Sequence, residues 1–185
     1  MNIFATSISP LVSAIMLDDV RARKMILENA QMLSTCVHHY ARHIVDYKPH
    51  FFYKPTHVNH PCNLWVKTSF QNMAWLMLHS HYLNLLYKSY SGRDHNSFLT
   101  IQVIEEFISN SLDQGSLPDQ FAMSPMTPFA NCTPFKHPLD KRNVYEKYKA
   151  YMIQKWENDD KCPVWYGRTM PSFYLEFLQR KGRKL

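Results

Sequence analysis

Between Pro10 and Pro49 the chain contains neither glycine nor proline. The residues that interrupt helices are the ones missing, so a stretch this long reads as helix. Ser9 suits the cap and Pro10 the first turn. The spacing therefore predicts a helix from Ser9 to His43, interrupted near Asp18. A second long helix is expected from Pro61, capped by Asn59 or His60, to a stop at Gly92. Its apolar positions from Leu64 and Trp65 through Met73, Leu76 and Leu83 to Tyr90 recur at helical spacing. A third covers Ser97–Leu112, capped by Asn96 or Ser97 and ending around Gly115, and a fourth covers Leu139–Asn158. Between these two, residues 115–138 read as loop, with prolines at 118, 125, 128, 134 and 138 and the tripeptide TPF at 127 and again at 133. The tail alternates turns with aromatics.

Glycine is scarce and aromatic content is 14%, which favours an all-α body over a barrel or a disordered chain. The expectation is one compact domain, residues 1–185, of about four or five helices with a long proline-rich loop. No apolar run approaches the roughly 20 residues of a membrane span, and the amino terminus lacks the basic start of a signal peptide. Cys36, Cys62, Cys132 and Cys162 are scattered without a CxxC pair, as expected of free thiols in a reducing cytoplasm. The formal charge of +6 favours phosphate-bearing partners, because neutralising phosphates releases counterions.

The segment DDVRARKMILENAQMLST carries an unusual pattern. On a helical wheel, Arg21, Lys24, Glu28, Gln31 and Thr35 fall in one narrow sector. Val20 and Leu27 flank it on one side and Met25 and Met32 on the other, with Ile26, Ala30 and Leu33 opposite. Such a helix is expected to be largely buried, so its charged file must pair internally or line a cavity. Both readings are open. Lys24 and Glu28 stand at i,i+4, as a salt-bridge ladder requires.

A second polar cluster, THVNH at Thr56–His60, precedes the helix expected from Pro61. If this turn faces the Arg21/Lys24 file, the two make a donor-rich pocket suited to a phosphate or a base edge. Glu28 would act as acid/base, with Lys24 and His57 as its catalytic companions. Arg21, Gln31, Thr56, Asn59 and His60 would bind, and Trp65 would stack a base. For each residue alone there is a plainer role: His57 as a structural histidine, Asn59 or His60 as a cap, Trp65 as core. HVNH has no firm third ligand for a metal. Nothing in the chain matches a glycine-rich phosphate loop, GxSxG or HExxH, and no cofactor is expected.

The helix LDDVRARKMILENAQMLST and the turn YKPTHVNHPCNLW together resemble a group of uncharacterised tailed-phage proteins. Those carry D-K-H-x-x-K-M-x-L-E-x-A-Q-M-L, then K-P-T-H-x-N-H-P, then TPFA (here Thr127–Ala130) and an aromatic tail. More distantly, the order of polar helix, H-V turn and long helix is similar to the phage pyrimidine-dimer DNA glycosylases. That resemblance implies a small, basic, all-α, phage-encoded enzyme of the host-cell cytoplasm that flips a base and attacks the damaged nucleotide with its amino-terminal amine. A Schiff base and AP-lyase cleavage follow, assisted by a glutamate of the first helix. In this chain Arg21 stands where that family has its glutamate, with Glu28 further along. Asn2 predicts that Met1 is retained.

Three functions are therefore expected to compete. The first is DNA processing of the glycosylase/AP-lyase kind, with DNA as partner and no membrane. The second is binding of a nucleotide or small phosphate in the same pocket. The third is a non-enzymatic interaction protein, in which the stripe is an internal ion-pair network and the tail aromatics Trp165, Tyr166, Phe173 and Tyr174 face a partner or simply pack.

Overall fold

The computed structural model describes residues 1–41 and 49–182, and every regular element among them is helical. The elements are α1 (Pro10–Met16), α2 (Asp19–Tyr40), α3 (Pro61–Thr68), α4 (Phe70–Ser91), α5 (Asn96–Asp113), α6 (Asp119–Ala122), α7 (Val144–Asn158) and α8 (Ser172–Arg180). The expected end of the first helix at His43 lies outside the described residues. The all-α expectation holds, and no helix of the described residues is long and apolar enough to cross a membrane.

Local chemistry accounts for most boundaries. The Ser9 hydroxyl accepts the Val12 N–H to start α1, and the break near Asp18 falls where the sequence placed it. Gly92 ends α4 at φ +73, the left-handed conformation that glycine adopts without steric penalty. Asn143 and Glu146 close a capping box, so α7 starts at Val144 and not at Leu139. Three further expectations need correction. The helix from Pro61 does not run through to Gly92, because Ser69 turns extended and caps α4 through Asn72 N–H. The cap of α5 is His95, whose ring accepts the Ser97 N–H, not Asn96 or Ser97. The loop 115–138 holds the short helix α6.

Helix α2 is the centre of the fold. It packs most extensively on α4 and also meets α3 and α5, while α1 lies along α4. Met25, Ile26, Met32 and Leu33 of α2, Met73, Leu76 and Leu83 of α4, and Ile101 and Ile104 of α5 are fully buried. Burying each such side chain stabilises by about 1.5–3 kcal/mol before entropy is counted. The helix is less enclosed than its pattern predicts. Its carboxyl-terminal half is buried nearly all round, but Val20, Arg23, Lys24 and Leu27 give the first half a solvent face.

The amino-terminal stretch is tied into the core. Ile3, Phe4 and Ala5 are buried, and the Asn2 side-chain oxygen accepts the N–H groups of Ile3 and Phe4. Phe4 takes φ +42, uncommon for a bulky residue, and its ring lies against Tyr148 and Tyr151. Packing therefore holds Met1 in one place.

Candidate functional site

The charged file of α2 resolves into two parts. Arg21 is spent on structure: its guanidinium donates to Asp18 at 3.0 Å and to Asp159, just past α7, at 2.7 Å. Glu28, one turn beyond Lys24, does something else. Its Oε2 accepts the Asn2 N–H at 2.8 Å and lies 3.7 Å from the Met1 amine, while Oε1 lies 3.6 Å from Lys24 Nζ. The Met1 side chain is 2% exposed although the residue as a whole is partly exposed. The accessible part of Met1 is thus its main chain, where the amine is.

That part faces a cavity of about 550 Å³ whose wall includes Met1, Lys24, Glu28, Tyr151, Lys155 and Lys161. Lys155 lies 4.7 Å from the Tyr151 ring centroid, a cation–π contact, and Lys24 is largely solvent-exposed. A primary amine, a half-buried carboxylate and three lysines therefore meet at one concave surface. Gln31 stands one turn past Glu28 and is half-buried. Its carbonyl accepts the Thr35 hydroxyl.

The turn at Thr56–His60 does not line this cavity. Met1 stands between them. Its sulfur lies 3.3 Å from Asn63 Nδ2, which also donates to the carbonyls of Thr56 and His57 and so pins the turn from beneath. The Thr35 hydroxyl ties turn to stripe by accepting the Thr56 N–H at 3.3 Å. His57 is exposed at φ +47 with Thr56 Oγ1 2.8 Å from its Nδ1, and Asn59 is exposed. The composite pocket expected from sequence is therefore divided by the first residue of the chain.

His60 acts as the cap of α3, its Nδ1 accepting the Cys62 N–H at 3.2 Å. Burial, reinforced by the nearby amino-terminal charge, lowers its pKa from the usual histidine value. Trp65 is not available to stack a base. It is 4% exposed, stacked on Phe129 at 5.0 Å and edge-on to Trp75, with its indole N–H donating to the Thr127 carbonyl.

Sequence reading missed Asn63, Lys155, Lys161 and the meeting of Cys62 with Cys132, whose sulfurs lie 2.9 Å apart. The hydrogen bond between the thiols, with burial, holds Cys62 far above its usual range. The same bond lowers Cys132. Comparison of the chain with family models, with curated proteins and with solved structures finds no match.

Proposed function

We propose that the chain is a DNA-processing enzyme of the glycosylase/AP-lyase kind, with Glu28 as its acid/base group and, in a protein that begins at Met1, the Met1 amine as nucleophile. The observation that carries this reading is the amine at 3.7 Å from Glu28 Oε2, on the wall of a lysine-lined cavity. A primary amine adds to C1′ of an abasic nucleotide and, with loss of water, gives an imine. Removal of a C2′ proton then expels the 3′ phosphate by β-elimination. A carboxylate beside the amine can take its proton before attack, return it to the departing oxygen and stabilise the cationic imine. Lys24, Lys155 and Lys161 suit the flanking phosphates. His57 and Asn59, exposed on the turn, suit backbone contacts outside the cavity. Relative to the sequence reading, Lys24 and His57 move from catalysis to phosphate and backbone contacts, and Arg21 and Trp65 move from binding to structure.

The test is borohydride trapping on an abasic duplex, with intact mass establishing that the purified chain starts at Met1. The expected outcome is a covalent adduct that maps to the Met1 peptide. Glu28→Gln is expected to slow trapping by about 10²- to 10⁴-fold, the usual span for general acid–base catalysis, while Lys24→Ala keeps the adduct. Absence of an adduct, or an equal yield from a protein extended by two residues at its amino terminus, overturns the reading. A cavity of about 550 Å³ also lies in the size range of small-molecule sites, which favours a single nucleotide as the runner-up ligand. Binding that weakens steeply with salt supports DNA, and binding that barely responds supports the nucleotide.

A further inference from the structure

Beneath the THVNH turn three side chains with metal-ligating atoms converge. His60 and Cys62 leave the same helix start, at the cap of α3 and two residues on. Cys132 arrives from the proline-rich segment. Its N–H donates to the Tyr148 hydroxyl at 3.3 Å, and that hydroxyl donates to the Ala130 carbonyl at 2.7 Å. One ring nitrogen and the two sulfurs all lie within 4.8 Å of one another. We propose that His60, Cys62 and Cys132 form a zinc site that clamps the proline-rich segment to the start of α3. This inference does not rest on the DNA reading above.

The donor set selects the ion. Two thiolates and an imidazole are soft to borderline ligands, matching Zn²⁺ and not the oxygen-seeking Mg²⁺ or Ca²⁺. Zinc bonds of roughly 2.3 Å to sulfur and 2.0–2.1 Å to nitrogen, arranged tetrahedrally, put donor atoms about 3.5–3.8 Å apart. The sulfurs, at 2.9 Å, need to separate by less than about 1 Å to reach that spacing. Cys132 sits on an irregular segment, which can move that far more easily than a helix. Charge also balances, since two thiolates neutralise the ion, so a largely buried site carries no net charge.

Two thiol protons leave as the ion binds. Coordination by the His60 ring surrenders its cap bond to Cys62 N–H, an exchange that favours the metal because structural zinc binding far exceeds the worth of one cap. A second cavity, of about 460 Å³ and lined by Cys132, Thr133 and Pro134, leads from the surface to the Cys132 side and supplies an access route. Three protein ligands leave the fourth position to water.

The chain purified with reductant and without chelator is expected to hold about one zinc per molecule, as a site coupled to folding would. Cobalt replacing it is expected to give a thiolate charge-transfer band in the near ultraviolet. Cys132→Ser and Cys62→Ser are expected to lose both signals, and Cys36→Ser and Cys162→Ser to keep them. Because Cys62 is buried and its variant can fail to fold, the Cys132→Ser protein, checked by circular dichroism, is the deciding one. With mild peroxide, zinc is expected to protect Cys62 and Cys132 from disulfide formation. A reduced wild-type chain that takes up neither zinc nor cobalt overturns the proposal. So does metal retention by a folded Cys132→Ser variant, or disulfide closure at the same rate with and without zinc.

Discussion

At the residue scale, the most exacting position outside the cavity is His79 on α4. It is fully buried, Asn29 of α2 donates to its Nδ1 at 3.1 Å, and its ring stacks on Trp75 at 5.0 Å. With Nδ1 accepting, the ring proton sits on Nε2, which has no hydrogen-bond partner among the described residues. Burial pushes the imidazole down to about 3. In the unfolded chain the same histidine takes its proton near 6.5. Below that pH the unfolded state binds a proton the folded state refuses. The contribution to stability is therefore complete above 6.5 and is lost as pH falls towards 3, by at most about 1.4 kcal/mol per pH unit. Urea midpoints at pH 7 and pH 5 are expected to fall further for the wild type than for His79→Leu, although the variant is less stable at both. Equal slopes would refute this account. Apolar residues recur at helical spacing along α4, and nothing in that pattern separates the buried His79 from the half-buried His81, two residues on.

At the scale of elements, the junction between α3 and α4 shows why one break was invisible in the sequence. Apolar spacing continues through Ser69 and no glycine or proline marks it. The turn survives because Ser69 caps Asn72, and the Asn72 side chain then donates to the Trp65 carbonyl and to Thr127 Oγ1 while accepting the Thr127 N–H. One asparagine thus bridges the end of α3 and holds the TPF segment. Ser69→Ala is expected to destabilise the fold by about 1 kcal/mol, the usual worth of such a cap, and Ser69→Thr to restore most of it. Denaturant unfolding reads both, and an unchanged midpoint in the alanine variant would show that the cap contributes nothing. Where the chemistry is local, as at Ser9, Gly92 or Asp18, the boundary was legible.

At the scale of the molecule, the two ends of the chain are clasped together around Asp18 and Asp19. The Asp18 carboxylate, 1% exposed, accepts from Arg21 and from the Trp156 indole at 2.8 Å. Asp19 accepts from Arg168 at 2.6 Å and from the Tyr166 N–H. Trp156, Trp165 and Tyr174 pack ring against ring beside this clasp, so much of the tail's aromatic content is internal packing. Tyr166 alone of the named tail aromatics is largely exposed. Asp18→Ala leaves the Trp156 indole N–H without its acceptor and the Arg21 guanidinium with Asp159 alone. The expected loss is about 3 kcal/mol, the low end for breaking a buried pair. Hydrogen exchange is expected to quicken first in residues 163–168. Uniform acceleration across the chain would place the clasp inside the global unfolding unit instead.

The sequence by itself determined the helical class, the break at Asp18, the start at Pro61 and the stop at Gly92, because each follows from the backbone chemistry of a few adjacent residues. It also singled out Glu28 and the THVNH turn as polar where a plain helix would not be. Only the tertiary structure decided what those residues meet. Glu28 reaches the amine of Met1, Cys62 reaches Cys132 across 70 positions, and Arg21 reaches Asp159 across 138. Such pairs leave no periodic trace, since their partners are chosen by how whole helices pack and not by spacing along the chain.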